Sequence, residues 1–316
     1  MSRICYFCPD FSLPSGGVRC LYRHVFQLNR RGHNAVIVHA KRGFKIGWHE
    51  YDVPVIWTDD NPKFRSDDVL VFPEAMIALA KQVGRNGCRR VVIPLNWSYI
   101  YRVLPHGENW NDYGITNVIT PSAEIKAFVE WSMGIATTVI PEYVDTRRYH
   151  YQPERKRNKI AFMPRKSSVG DELRSLLSSR SNGLAGGYEW TRLLDLSELK
   201  YAEQLKESRI YLATTSQEGT NISVLEAMCA GCVVIGFSGI GGRDYMRGEG
   251  PARNCILVEN EDMLGLGQSL EMAILQQSKD PRHFDLMIAN AIATAAAYGD
   301  LDAEARCLES YFSTLT

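Results

Sequence analysis

Two glutamates, Glu218 and Glu226, have seven residues between them in a stretch that reads SQEGTNISVLEAMCAG over residues 216–231. Glu218 precedes a glycine, and Glu226 falls within an apolar run of helical spacing. A carboxylate in a loop can balance positive charge that develops on a substrate, and a carboxylate on a helix can accept hydrogen bonds from paired hydroxyls. Both residues are therefore candidates for site chemistry, although the bare spacing also arises by chance.

A strand–loop–helix–strand element is predicted to position the two glutamates. Ile210–Ala213 and Val233–Phe237 are strand-like, and the helix between them is expected to begin near Thr220 or Asn221, either of which can cap it. In an open parallel sheet such a helix start faces the carboxyl ends of the strands, where ligands bind. The unpaired N–H groups of residues 219–222 would favour an anion or a ring of hydroxyls.

The stretch EGTNISVLEAMCAGCVVIGF resembles the E-x7-E segment of retaining glycosyltransferases of the GT-B fold, the family-4 type. In that family the segment reads roughly EGFGLPVLEAMACGTPVVA. The resemblance implies that Glu226 holds the ribose hydroxyls of a nucleotide and that Glu218 faces the donor sugar. It also places Gly219, Thr220 and Asn221 at the donor.

Glycines and a basic pair extend the resemblance along the chain. Gly16 and Gly17 follow the first predicted strand, where family members have a glycine pair against the donor phosphate and the acceptor. Arg165 and Lys166 follow the strand Lys159–Met163 and suit a pyrophosphate, because Arg offers a fork of donors and Lys a point charge. The family spaces this pair about five residues apart, so which of the two reaches the phosphates stays open.

Two further segments match the family in order. The stretch VITPSAEIKAFVEWSMGIATTVIPEYVDTRRY resembles the segment that leads to its domain boundary, and SGIGGRDYM resembles its glycine-rich loop beside the donor phosphate. The resemblance makes Gly241 and Gly242 the contacts in that loop. On the acceptor side, the family's usual histidine is replaced by LNWSY, which leaves Glu74 and Asn96 as hydrogen-bonding candidates.

The predicted fold class is α/β. The resemblance implies a GT-B arrangement of two doubly wound Rossmann-like domains that face a cleft. Residues 1–145 would form an N-terminal acceptor-side domain, 146–158 a linker, and 159–300 a C-terminal domain that binds the nucleotide-sugar donor. Residues 301–316 would form a helix that crosses back to the first domain.

Composition excludes several classes of protein. The chain has 316 residues and a formal net charge of zero, which argues against nucleic-acid binding through bulk electrostatics. The N-terminal segment MSRICYFCPDF lacks the apolar core of a signal peptide, so a cytoplasmic location is expected. Lys41–Tyr51 mixes basic and aromatic residues, which fits a peripheral contact with the inner face of the membrane, a polyanionic acceptor, or a solvated loop.

No metal and no cofactor beyond the donor are expected. Asp300-Leu301-Asp302 is a D-x-D, the metal signature of another transferase fold, but here it precedes a predicted helix and is interpreted as its cap. The two C-x2-C pairs, Cys5/Cys8 and Cys229/Cys232, invite a zinc interpretation. Positions i and i+3 of a strand point to opposite faces, however, and the second pair lies at a helix end, so reduced core thiols are favoured.

The resemblance implies transfer of a sugar from a nucleotide-diphosphate sugar to a glycan or lipid-linked acceptor hydroxyl, with retention of configuration, as in polysaccharide biosynthesis. Arg165, Lys166 and helix N-terminal amides would stabilise the leaving diphosphate, and Glu218 would balance the oxocarbenium-like sugar. An inverting GT-B transferase, a nucleotide-sugar epimerase and a catalytically inert binding protein of the same fold are the alternatives.

Overall fold

The computed structural model describes residues 2–83, 87–180 and 184–316, which fall into two compact units. Unit 1 comprises the residues up to Glu142 together with Leu301–Thr316, and unit 2 comprises Tyr143–Asp300. The segment 146–158, expected to be a linker, lies within unit 2. There Tyr149 is buried, and Arg148 pairs with Glu198 at 2.6 Å.

Unit 1 is built on a seven-stranded parallel sheet in the order β3-β2-β1-β4-β5-β6-β7. Its strands are β1 (Arg3–Phe7), β2 (Asn34–His39), β3 (Val55–Trp57), β4 (Val69–Pro73), β5 (Arg89–Ile93), β6 (Asn117–Thr120) and β7 (Thr137–Val139). Its first helices are α1 (Gly16–Arg30), α2 (Trp97–Val103) and α3 (Ala123–Met133).

The strands of unit 1 are buried on both faces, which explains their near-continuous apolar sequences. Successive residues of β1 alternate between two hydrophobic clusters: Cys5 and Phe7 pack in one, Ile4 and Tyr6 in the other. Cys8 joins the cluster of Ile4, so Cys5 and Cys8 lie on opposite faces of the sheet as strand geometry requires.

Unit 2 is built on a five-stranded parallel sheet in the order β12-β11-β10-β8-β9. Its strands are β8 (Arg157–Phe162), β9 (Glu189–Arg192), β10 (Ser208–Ala213), β11 (Val233–Phe237) and β12 (Ile256–Val258). Its helices are α4 (Val169–Arg180), α5 (Glu198–Glu207), α6 (Ile222–Cys229), α7 (Met263–Lys279) and α8 (Asp285–Ala296). Clusters of buried side chains cover both faces of this sheet too: Ala161 packs in one, and Ile160 and Phe162 pack in the other.

The sequence pattern did not predict strand β3. This strand has only three residues, all half-buried, and it directly follows Pro54. It pairs with β2 at the edge of the sheet. A run this short is too brief to show a hydrophobic period, so only the neighbouring strand defines it.

The last helix, α9 (Leu301–Ser313), belongs to unit 1 and packs on α1 through buried charged side chains. Arg23 Nε donates to Glu304 Oε1 at 2.8 Å, and Arg23 Nη2 donates to Glu142 Oε2 at 2.6 Å. Burial alone raises the pKa of Glu304, but the Arg23 charge and a hydrogen bond with His24 outweigh it and hold the pKa below the ordinary 4.5. The ionised carboxylate is therefore part of the native state.

Glu304→Gln is expected to lower the free energy of unfolding by about 3 kcal/mol near neutral pH, because it leaves the buried Arg23 charge poorly compensated. A carboxyl whose pKa is lowered in the native state stabilises above its unfolded pKa and loses that contribution as pH falls through the native one. The difference between wild type and variant should therefore shrink below the ordinary value of 4.5. Urea unfolding at neutral pH and at roughly pH 3 measures it.

Glu309→Gln is the matched control. Glu309 lies on the same helix, is 42% exposed and approaches Arg31 only at 3.7 Å, so its loss should change stability by less than about 0.5 kcal/mol. If Glu304→Gln lowers the free energy of unfolding by the same amount at both pH values, the assignment of an ionised Glu304 carboxylate is contradicted.

The rings of the segment Lys41–Tyr51 pack into unit 1. Trp48 and Tyr51 lie against the hydrophobic cluster of α1, and the Phe44 ring meets His39 at 4.7 Å. The exposed side chains of the segment include Lys41 and Lys45. Of the residues that suggested a membrane contact, the basic side chains are thus exposed, whereas the rings pack against unit 1. No helix in the described ranges has the length and apolar character needed to cross a membrane.

Candidate functional site

The loops that follow β8, β10, β11 and β12 meet at the carboxyl edge of the unit 2 sheet. All pairings in this sheet are parallel, so the carboxyl ends of its strands share one edge. The predicted residues Arg165, Lys166 and Glu218 all lie in these loops, and Thr220 and Asn221 stand just before α6.

Helix α6 begins at Ile222, and the residue before it departs from the predicted capping. Asn221 takes a left-handed conformation, with φ 56° and ψ 53°, and its side chain caps no backbone N–H. Instead, the Ser223 hydroxyl donates to Asn221 Oδ1 at 3.0 Å. Asparagine tolerates this conformation better than most residues, which explains why it can stand where the resembling family has glycine.

Polar groups without a partner surround this helix start. The side-chain atoms Thr220 Oγ1 and Asn221 Nδ2 are buried and make no hydrogen bond to the part of the chain that the structure describes. In that same part, no acceptor lies against the backbone N–H groups of Thr220, Asn221 and Ile222. Unpaired buried polar groups are rare in native proteins, and several together at a helix N-terminus favour an anionic ligand.

Lys166 and Glu218 form an ion pair beside the helix start. The distance from Lys166 Nζ to Glu218 Oε2 is 2.6 Å, and the side chains are 24% and 16% exposed. They are 52 residues apart in sequence, so the sheet brings them together. Arg165 is exposed in the same loop. A cation and a carboxylate are thus adjacent, each largely shielded from water.

Glu226 lies deeper than Glu218. Its residue is 3% exposed within α6, which excludes a solvated carboxylate. Burial raises the pKa of Tyr211 on β10, a hydrogen bond to Ser223 opposes that shift, and the Glu226 and Glu218 charges add to it. Both glutamates therefore act on the same buried tyrosine.

The predicted phosphate contacts Gly241 and Gly242 lie in a short 3-10 helix, Gly241–Asp244, after β11. Gly241 N donates to Glu218 O at 3.2 Å, and Gly242 N donates to Ser238 O at 2.8 Å. A Cβ on Gly241 would come within 1.4 Å of Gly219 O. In this structure Gly241 holds its loop against the loop of Glu218, and Gly242 bonds within its own loop. Their part in phosphate binding stays a prediction.

Backbone strain is concentrated in the same loop. Ile240 has φ 73° and ψ −61°, a γ-turn conformation that is rare for a β-branched residue. Its neighbour Gly239 accepts from Glu218 N at 2.8 Å, and Ile240 bridges Glu218 in parallel fashion. Strained residues of this kind cluster at ligand sites, where the surrounding structure holds them in place.

The remaining predicted residues lie in unit 1. Gly16 and Gly17 are the first two residues of α1, and a Cβ on Gly17 would meet Leu95 Cδ1 at 3.0 Å. Glu74 accepts from the backbone N–H groups of Leu95 and Asn96 at 2.9 and 3.0 Å. Asn96 Oδ1 caps α2. The two acceptor-side candidates thus each have a local structural role.

Two hydroxyl groups at the site were not predicted. The Tyr245 hydroxyl donates to the backbone of Thr220 and Asn221, and Ser223 contacts both Asn221 and Tyr211. Tyrosine at position 245 carries no local signal, because it follows the glycine pair within a short, mostly charged stretch, GGRDYMRGEG. Ser223 could have been noticed, since the resembling family has proline at that position.

Comparison with known proteins agrees with this geometry. A family model described as "Glycosyl transferases group 1" matches residues 164–275, which include the loops of the site. An α-1,6-glucosyltransferase from Actinobacillus pleuropneumoniae serotype 7 (strain AP76) is 24% identical over 239 residues, 74% of this chain and 72% of the relative.

Solved structures show the fold. Sucrose-phosphate synthase from Thermosynechococcus elongatus aligns with a TM-score of 0.72 at 12% identity, over 100% of this chain and 99% of that one. Anabaena HepE in complex with UDP-glucose aligns with a TM-score of 0.71 at 13% identity, over 99% of this chain and 100% of that one. The predicted α/β fold class of the GT-B type is thereby confirmed.

Proposed function

We propose that this chain is a glycosyltransferase that moves a sugar from a nucleoside-diphosphate sugar to an acceptor hydroxyl with retention of anomeric configuration. The observation that carries the proposal is the group of unpaired donors at the start of α6, beside the Lys166–Glu218 pair. Cation and amide donors suit a diphosphate, and a nearby carboxylate suits a sugar carbon that becomes cationic.

The donor's glycosidic bond would break with its electron pair going to the diphosphate oxygen. Lys166, Arg165 and the N–H groups before α6 would stabilise that negative charge, and Glu218 would stabilise the oxocarbenium-like sugar. The acceptor oxygen would then bond to the anomeric carbon, and its proton would go to the departing diphosphate. Glu226 on α6 would accept hydrogen bonds from the ribose hydroxyls, which places the nucleoside toward the helix.

UDP-glucose is the first donor to test. The similar protein from Actinobacillus pleuropneumoniae is an α-1,6-glucosyltransferase, and the similar HepE structure from Anabaena is a complex with UDP-glucose. An α-1,6-glucosyltransferase, as the relative is, adds glucose to a sugar hydroxyl. We therefore propose that the acceptor is a glycan or lipid-linked glycan hydroxyl.

Thermal unfolding with UDP-, GDP-, TDP- and ADP-glucose tests the donor. A ligand at about a hundred times its Kd stabilises the native state by about 2.7 kcal/mol, so one of these should raise the midpoint. Hydrolysis of that donor without acceptor should follow slowly, at a rate unchanged by EDTA, and NMR of the transfer product should show a retained anomer. An inverted product would favour the inverting alternative, and no shift with any nucleotide sugar would refute the proposal.

A further inference from the structure

The side-chain hydroxyl of Tyr245 lies within hydrogen-bond distance of two backbone carbonyls. Its hydroxyl lies 2.9 Å from Thr220 O and 2.9 Å from Asn221 O, and the residue is 3% exposed. These carbonyls belong to the two peptide groups that immediately precede α6. A buried tyrosine hydroxyl commonly finds one partner, so convergence of two carbonyls on it is a specific arrangement.

The two carbonyls fix the direction of two N–H groups. In a planar trans peptide the N–H points opposite to the C=O. Since Thr220 O and Asn221 O both point to Tyr245, the N–H groups of Asn221 and Ile222 both point away from it. A left-handed residue next to a right-handed one, here Asn221 and Ile222, presents successive N–H groups as an anion-binding concavity.

Tyr245 is itself held in place from outside the loop. Asn254 Nδ2 donates to Tyr245 O at 2.8 Å and also to Thr294 Oγ1 of α8 at 2.9 Å. The Tyr298 ring packs edge-on at 5.9 Å. Burial raises the pKa of Tyr245 well above its ordinary value, and neighbouring Tyr298 and Tyr211 add to the shift, so the hydroxyl keeps its proton and donates.

We propose that Tyr245 is a positioning residue that orients the N–H groups of Asn221 and Ile222 toward the diphosphate of the donor. The inference rests on the proposed function and extends it, because it assigns diphosphate affinity to a side chain that does not touch the ligand. Tyr245 follows the strained segment 238–242, and its hydroxyl lies on the side of the loop opposite to these N–H groups.

Tyr245→Phe keeps the ring and removes only the hydroxyl. We expect UDP to bind roughly tenfold more weakly, the equivalent of one hydrogen bond of about 1.4 kcal/mol, while the Kd of uridine stays unchanged. Calorimetric titration of both ligands gives the ratio of the Kd of UDP to the Kd of uridine. A merely structural defect would not alter this ratio. Tyr188→Phe is the control, since it removes a hydroxyl that donates to Gln277 at 3.1 Å on α7.

A second measurement needs no variant. In wild type, UDP should slow hydrogen exchange at the N–H groups of Asn221 and Ile222, and uridine should not. Unaltered exchange with bound UDP, or a Tyr245→Phe protein that keeps the wild-type UDP-to-uridine ratio, overturns the inference while the proposed function stands. If the donor screen identifies another base, its nucleoside diphosphate and nucleoside replace UDP and uridine. A wild-type chain that binds no nucleotide sugar overturns both.

Discussion

Glu218→Gln is expected to lower kcat by roughly 10²–10³-fold while the Kd for the nucleoside diphosphate stays nearly unchanged. Glutamine has the size of glutamate and can still accept from Lys166, but it has no charge to balance the sugar as it becomes cationic. Lys166, 2.6 Å away in the native pair, would then lose its carboxylate and remain available to the diphosphate. Steady-state kinetics and nucleotide titration on one preparation separate the two effects.

Glu226→Gln is the matched control for this change. It makes the same substitution eight residues further along the same element, at a residue that is 3% exposed and is proposed to contact the nucleoside. We expect it to act through nucleotide affinity, with kcat less affected. A Glu218→Gln enzyme with wild-type kcat would remove Glu218 from the catalytic residues, and a loss of kcat confined to Glu226→Gln would reverse the two roles.

The second large effect is expected from Arg165→Ala combined with Lys166→Ala. Each charge-assisted hydrogen bond contributes about 1.5–3 kcal/mol, so the double variant should bind UDP roughly 10²–10⁴-fold more weakly. Binding of uridine, which lacks the phosphates, should change little. Titration of both ligands into both proteins gives the comparison.

Lys279→Ala combined with Arg282→Ala controls for net charge. These exposed residues lie at and just after the last residue of α7, at the end away from the carboxyl edge, so the same change of charge should leave UDP binding within about twofold at moderate salt. Equal losses for UDP and uridine in the Arg165/Lys166 variant would contradict a phosphate role. If only UDP binding is weakened, the single variants Arg165→Ala and Lys166→Ala show which side chain carries the effect. The adjacent positions of the two residues leave that question open.

Local sequence patterns determined most of the elements. Buried parallel strands such as β6 and β11 are short apolar runs between turn residues, and β11 was predicted at its observed bounds. Helix α3 has both a serine cap and a terminal glycine, which are local signals of a helix. The E-x7-E stretch likewise identified the loop and helix that form the centre of the site. These signals are local, because helix and strand periods and capping act within a few residues.

The contacts that make the site were decided by the tertiary structure. Lys166 reaches Glu218 across 52 residues, and the Tyr245 hydroxyl reaches Thr220 across 25. The left-handed Asn221, the missing side-chain cap and the glycine contact between Gly241 and Gly219 follow from how two loops pack at one sheet edge. No local propensity encodes such contacts, since each depends on the register of neighbouring strands and on the space left between their loops.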